Sequence, residues 1–377
     1  MKIIIAPDSF KESLTAAQVA QAIENGFRKV LPDAEYVRIP VADGGEGTLQ
    51  SLVDATGGRI IDQTVTGPWG KLRVAGFGLL GDGLTAVIEM ARASGLELVA
   101  PENRNPLYTT SFGTGQLIRG ALGMGVKRII VGIGGSATND GGAGMMQALG
   151  VRFLDKAGNE LPAGGAALAD LADIDISNVD PRLEHVEFIA ACDVDNPLTG
   201  DNGASAIFGP QKGATPEMVE QLDQALANYA RVLNKVLGCD VEATPGAGAA
   251  GGMGAGLLAF MNATLKPGID IVMEAVSLAS HCDSADLVIT GEGRIDGQTA
   301  QGKTPIGVAR VAKQFELPVI ALCGCVGNGA EGVHQYGIDA LFPVVHGAAT
   351  LEEAFSRGGD NLEREARNVA AVYSLGK

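Results

Sequence analysis

Residues 129–144, Ile-Ile-Val-Gly-Ile-Gly-Gly-Ser-Ala-Thr-Asn-Asp-Gly-Gly-Ala-Gly, constrain the fold of this chain more than any other stretch. A short β-branched run breaks into glycine, a hydroxyl and an acid, and residues 145–150 resume with helix formers, which predicts strand, tight loop and helix start. Glycine there lets the backbone take positive φ and bring main-chain N–H groups close to a ligand. The new helix offers unpaired N–H groups and the positive end of its dipole, so an anion is favoured in front of it. A tight turn in any α/β protein would explain the same residues, but four further stretches share their character. Glycine makes up 54 of 377 residues, about twice its usual share, yet it clusters between apolar runs with no fixed period, which excludes collagen-like and low-complexity chains.

The rest of the chain repeats this alternation. Residues 2–6 predict a buried strand. Thr15 and Gln18 then form a capping-box start for a helix carrying Val19, Ile23, Phe27 and Val30 at helical spacing up to Pro32. Residues 35–39 predict a second strand, followed by an acidic glycine loop and a helix to about residue 55. Strand-like runs at 59–65, 71–80 and 84–90, separated by Gly-Pro and Gly-Asp-Gly turns, predict an antiparallel meander. A helix at 114–123, a strand at 188–192 and an amphipathic helix at 216–237 follow. Strands at 286–290, 317–323 and 339–344 close the chain, with helices at 305–315 and 351–373. The expected fold class is α/β with two α/β domains. A Rossmann/flavodoxin-like parallel-sheet domain is formed by both chain ends, 1–60 and 266–377, and a mixed α/β domain is inserted at 61–265. The active site is expected in the cleft between them.

A net charge of −16 argues against nucleic acid and anionic membrane as partners, since both would be repelled at long range. A small anionic substrate would have to be met by local Lys, Arg and helix N-termini. The five cysteines, 192, 239, 282, 323 and 325, show no scaffold spacing, and Cys323-x-Cys325 lacks the second pair that a metal site would need. The N-terminal apolar run is too short for a signal peptide, and the longest charge-free stretch, 243–265, is half glycine and alanine at its start. A soluble, cytoplasmic protein is expected, with its oligomeric state open.

Several loops could carry chemistry. Asp8, Ser9 and Lys11 follow the first strand, where open α/β sheets bind ligands, and could hold an anion or a metal or simply cap a helix. Asp43 and Glu46, among glycines, suit an oxygen-liganded Mg²⁺ or an acid-capped helix start. Asp193 and Asp195 sit at strand spacing on one face, where a carboxylate could abstract a hydroxyl proton, or they belong to a turn before Pro197. Gly246-x-Gly248-x-x-Gly251 fits the dinucleotide fingerprint by letter, with Asp270 near the expected distance, although residues 243–245 make no buried strand. Residues 297–304 satisfy the P-loop pattern, but with the strand ending near residue 290 only Lys303 is retained as a phosphate contact. Arg294, flanked by two acids in residues 290–296, offers a fork for carboxylate or phosphate, or an internal ion pair.

Taken together, Ala6-Pro-Asp-Ser-Phe-Lys-Glu-Ser13, Val41-Ala-Asp-Gly-Gly-Glu-Gly-Thr48, the 132–142 loop, Cys192-Asp-Val, Asn196-Pro-Leu198, Phe208-Gly-Pro-Gln-Lys-Gly-Ala214, the 245–254 glycine run and Thr290-Gly-Glu-Gly-Arg-Ile-Asp296 resemble the glycerate kinase type 1 family. The resemblance spans nearly the whole chain in the family's order. It implies ATP-dependent phosphorylation of D-glycerate, with the 2-hydroxyl favoured over the 3-hydroxyl, feeding glycerate from glyoxylate or sugar-acid breakdown into glycolysis. It also implies ATP and Mg²⁺ as cofactors and D-glycerate and ATP as small-molecule partners. An NAD-linked hydroxyacid dehydrogenase is the alternative. Chemistry and loop position then suggest roles. Asp193 would be the base, and Lys11 and Arg294 would hold carboxylate or the transferring phosphoryl group. Gly134, Gly135, Ser136, Gly251, Gly252 and Lys303 would cradle phosphates. Asp8, Ser9 and Asn196 would bind substrate, and Asp296 or Asp43 would hold Mg²⁺. The acids could exchange parts.

Overall fold

The computed structural model describes residues 1–42, 47–345, 347 and 349–375. In chain order it begins with β1 (Lys2–Ile5), α1 (Ala16–Arg28), β2 (Glu35–Arg38), α2 (Thr48–Thr56), β3 (Arg59–Thr66), β4 (Leu72–Leu79) and β5 (Thr85–Glu89). Next come α3 (Ala91–Ser94), α4 (Phe112–Gly123), β6 (Arg128–Gly132), α5 (Ala143–Ala148), β7 (Arg152–Leu154), β8 (Asp173–Asp175) and β9 (Glu187–Ala191). Then follow α6 (Ala204–Phe208), α7 (Pro216–Leu237), α8 (Ala249–Met261), β10 (Thr264–Lys266), α9 (Gly268–Ala275) and α10 (Leu278–Cys282). The chain closes with β11 (Leu287–Ile295), α11 (Thr304–Lys313), β12 (Val319–Val326), β13 (Ala340–Pro343), α12 (Leu351–Ser356) and α13 (Gly358–Leu375). Two compact units result, one of Met1–Gly57 with Ile269–Lys377 and one of Gly58–Gly268.

The unit made from the chain ends holds a five-stranded parallel sheet in the order β13-β12-β11-β1-β2. Renumbered within the unit this is 2-1-3-4-5, the flavodoxin-like order, whose ligands sit beyond the carboxyl ends of the first and third strands. Ile3, Ile4 and Ile5 of β1 are fully buried, as both faces of a parallel sheet require. Each such side chain contributes about 1.5–3 kcal/mol by leaving water. The Thr15–Gln18 capping box starts α1, whose Val19, Ile23 and Phe27 pack with Leu362 and Val369 of α13. Gly26 permits this close crossing, because a Cβ there would collide with the backbone at Glu363 and Arg367.

Within the second unit, six strands run in the order β10-β9-β6-β5-β4-β3. The first four are parallel, and β4 and β3 complete an antiparallel meander with β5. Glu89, Gly132, Ala191 and Lys266 lie side by side in register, so the loops that follow β5, β6, β9 and β10 leave from one edge. Leu226, Tyr229 and Leu233 of α7 fill the core against this sheet together with Met145 and Met146 of α5.

Two elements differ from expectation. β11 continues five residues past Thr290 to Ile295, because Arg294 and Ile295 keep pairing with Cys325 and Val326. The C-terminal helix breaks at Arg357, before Gly358 and Gly359. Among the described residues no helix is long and apolar enough to cross a membrane. All five cysteines are free.

Candidate active site

In the inserted unit, the loop after β6 has an open rim and a tightly fastened floor. Gly134 and Gly135 are exposed, Gly135 has φ +71°, and a Cβ built on Gly134 would meet nothing within 4 Å. Main-chain N–H groups at that rim are therefore approachable. Immediately after them Ser136, Thr138, Asn139 and Asp140 are buried. Lys212 is 1% exposed, and its ammonium donates to Ser136 Oγ and to the Thr138 carbonyl, both at 2.7 Å. Burial brings its pKa down to about 7 against the upward pull of Asp140.

The start of α5 differs from the expectation of a ligand anion there. Asp140 occupies it, accepting N–H groups from Gly142 at 3.3 Å and Gly144 at 3.4 Å, and both the N–H and hydroxyl of Ser111 at 2.8 Å. Burial pushes its carboxyl pKa up while these donors pull it down. The protein's own carboxylate thus takes the favoured anion position, and approach is left to Gly134 and Gly135. Thr138 Oγ1 and Asn139 Oδ1 are buried without a hydrogen-bond partner, so the segment is not completed by the protein's own groups.

Gly251 and Gly252, expected to cradle phosphate, lie beneath this loop instead. Both are buried with positive φ, and Gly141 N–H donates to the Gly251 carbonyl at 3.0 Å. A Cβ on Gly251 would fall 2.0 Å from the Thr138 carbonyl oxygen. The dinucleotide fingerprint dissolves in the same way. No strand precedes Gly246, and Gly246 and Gly248 pack against Cys192 and the Pro197 carbonyl. Asp270 pairs with Arg310. These glycines serve chain-on-chain packing, which removes the feature that kept the dehydrogenase alternative open.

Asp193 leaves β9 on the same edge, exposed, with Oδ1 accepting the Gly268 N–H at 2.9 Å. The Asn196 side-chain amide donates to the Asn202 carbonyl at 2.8 Å, and the Asn196 main-chain carbonyl accepts the Gly248 N–H at 3.0 Å. Asn196 therefore braces the turn.

In the unit of the chain ends, the loops after β1 and β11 flank the switch point. Asp8 Oδ1 accepts the Ser9 N–H at 2.6 Å, and Oδ2 accepts the Thr304 hydroxyl at 2.6 Å. Glu292 is buried beside them, bonded to the Thr299 hydroxyl and 3.9 Å from Lys303 Nζ. Desolvation raises its pKa to about 7, with Asp8 and Asp296 adding to the rise and Thr299 and Lys303 opposing it. Arg294 is exposed and paired with Asp296 at 3.1 Å, and Asp296 also accepts the Gln298 N–H, so the internal ion pair is realised. Lys11 is exposed on the Phe10–Leu14 turn, whose Glu12 has φ +63°. The P-loop pattern follows directly on the longer β11, but a 3-10 turn at Thr299–Gln301 interrupts it, and Lys303 caps α11.

Among the described residues no three His, Cys, Asp or Glu side chains cluster, and Asp43 lies outside the described residues. An ion carried mainly by phosphate oxygens and water needs only one or two protein carboxylates. Nothing in the sequence alone marks a role for Lys212, Asp140 or Glu292. Only their burial, set by contacts distant in the chain, distinguishes them.

The family model described as "Glycerate kinase family" matches residues 3–374. A chain named glycerate kinase from Bacillus subtilis (strain 168) is 60% identical over 377 residues, covering 100% of this chain and 99% of the relative. A chain named glycerate 2-kinase from Escherichia coli (strain K12) is 58% identical over 376 residues, with the same coverage. A crystal structure from Salmonella typhimurium LT2, provisionally described as glycerate kinase 2, superposes with a TM-score of 0.93 at 56% identity, covering 100% of this chain and 99% of that one. With its motifs in order and its length matched from end to end, the chain belongs to the glycerate kinase family.

Proposed function

We propose that the protein transfers the γ-phosphoryl group of ATP to the 2-hydroxyl of D-glycerate, giving 2-phosphoglycerate and ADP. The observation that carries this reading is the end-to-end 58% identity to a chain named glycerate 2-kinase. The open Gly134–Gly135 rim supports it, since phosphoryl transfer depends on positioning and on neutralising charge.

In this reading, Asp193 takes the proton of the substrate hydroxyl as its oxygen bonds to phosphorus and the bond to ADP breaks. The hydrogen bond from Gly268 fixes its orientation. Gly134, Gly135 and Ser136 hold the nucleotide phosphates, with Lys212 keeping the loop in shape from below. Lys11 and Arg294 meet the substrate carboxylate or the transferring group, Asp8 and Ser9 bind substrate, and Lys303 contacts phosphate. Bound Mg²⁺ would supply charge neutralisation across the phosphates, held through Asp296 or Asp43. The reaction would run in the cytoplasm, where ATP is available and the five thiols stay reduced. The test is ADP formation with D-glycerate and MgATP, each omitted in turn. ADP should appear only when both are present, and ADP at the ATP-alone background would overturn the reading.

A further inference from the structure

The inserted unit carries a second open feature that no role above uses. A cavity of about 840 Å³ lies between the β3–β4 turn and residues 98–105. Trp69, Arg73, Glu102, Arg104 and Asn105 are among its walls. Because β4 runs antiparallel to β5, with Gly78 opposite Val87, the start of β4 and the turn before it point to the carboxyl end of β5. That is the edge from which the glycine loop leaves. The backbone ties the two together. The Leu96 N–H donates to the Gly135 carbonyl at 2.8 Å, and Leu98 and Val99, just beyond, line the cavity. On the other side, the Arg104 guanidinium reaches the carbonyl of Gln211, the neighbour of Lys212, at 3.3 Å. The segment that walls the cavity at Leu98 and Val99 is thus fastened to the glycine loop two residues earlier, at Leu96.

Chemistry narrows the occupant. The volume falls in the usual range for small-molecule pockets, roughly 300–1,000 Å³, and far exceeds what a three-carbon acid fills. Trp69, a large ring with 41% of its surface exposed, lines this cavity. Arg73 Nε is buried with no hydrogen-bond partner. An indole face and guanidinium planes stack on a flat π-system. A carboxylate such as that of Glu102 accepts ribose hydroxyls, as acids do in dinucleotide sites. We infer that this cavity is the nucleoside subsite for the nucleotide whose phosphates meet Gly134 and Gly135, with Trp69 stacked on the base. The inference rests on the ATP-dependent kinase reading for its ligand.

Trp69 is the chain's single tryptophan, so its fluorescence reports on this cavity alone. Titration of the full-length protein with MgADP should change the emission saturably, while D-glycerate and inorganic tripolyphosphate should leave it unchanged. Trp69→Leu should raise the KM for ATP roughly tenfold, the scale of one lost base–aromatic stack, with kcat and the KM for glycerate unchanged. Trp69→Phe, which keeps a stacking face, should restore most of the ATP KM. An unchanged ATP KM in Trp69→Leu, or emission that MgADP leaves unmoved, would overturn the assignment. A response to tripolyphosphate equal to that for MgADP would do the same. Should the protein form no ADP from ATP and glycerate, the kinase reading fails, and the MgADP titration still decides the cavity.

Discussion

Gly251→Ala should disable the loop proposed to hold phosphate, from beneath. Gly251 has φ +66°, and the added Cβ would stand 2.0 Å from the Thr138 carbonyl oxygen, where ordinary contact begins at 3.4 Å. Either the head of α8 or the Thr138–Gly141 backbone must then shift by more than about 1 Å, since a well-packed interior gives way little elsewhere. Left-handed geometry for alanine costs about 1–2 kcal/mol. Loss of the hydrogen bond from Gly141 to Gly251 costs about 1 kcal/mol more. In a unit of this size a total of about 2–3 kcal/mol lowers the melting temperature by about 5–10 °C. A misplacement of about 1 Å in a positioning loop costs about 10²-fold in rate, so kcat/KM for ATP should fall by that order at temperatures where the variant remains folded. Steady-state kinetics with saturating glycerate, beside thermal unfolding followed by circular dichroism, measures both. Gly123→Ala, exposed at the end of α4 with nothing within 4 Å of its Cβ, is the control and should leave kcat/KM unchanged. Wild-type kcat/KM in Gly251→Ala would refute the claim that this glycine sets the loop.

Asp193→Asn should lower kcat by about 10²–10⁴-fold while leaving the circular dichroism spectrum intact; near-normal turnover would reject it as the base. Lys212 has a folded pKa of about 7 against 10.5. Between those values the unfolded chain holds a proton that the folded one lacks, so its contribution to stability rises with pH. Urea unfolding of wild type minus Lys212→Met should climb by up to about 1.4 kcal/mol per pH unit above pH 7, and a flat difference would contradict the buried amine. Glu292 is shifted the other way, from 4.5 to about 7. The folded state holds the extra proton in that window, so stability falls as pH rises from about 4.5 to 7. Glu292→Gln should remove that fall, and an unaltered pH profile would mean the carboxyl is not desolvated.

Where structure follows from neighbours along the chain, the sequence was readable. The Thr15–Gln18 box, the amphipathic run of α7 and the strand-to-glycine transitions all depend on local spacing. The far end of β11 was not. Gly291, Glu292 and Gly293 read as a loop, yet the strand continues, and Gly291 is required because a Cβ there would strike the Leu322 carbonyl of β12. The same limit applies in the candidate site. The exposed loop position of Gly134 and Gly135 follows from the strand-to-glycine transition, whereas Gly251 carries the same letter for a different reason, close passage under Thr138. Lys212 looks like any surface lysine in a Gly-Pro-Gln-Lys-Gly turn. Its role depends on residues some 75 positions earlier in the chain, Ser136 and Thr138.

Transfer of phosphate from ATP to the 2-hydroxyl of D-glycerate is tested most directly by the proton-coupled phosphorus spectrum of the product. A phosphate on the 2-oxygen is coupled to one proton and gives a doublet, which is the result expected, formed only with D-glycerate and MgATP both present. A triplet, from a phosphate on the two-proton carbon of the 3-position, or inorganic phosphate alone, would contradict it.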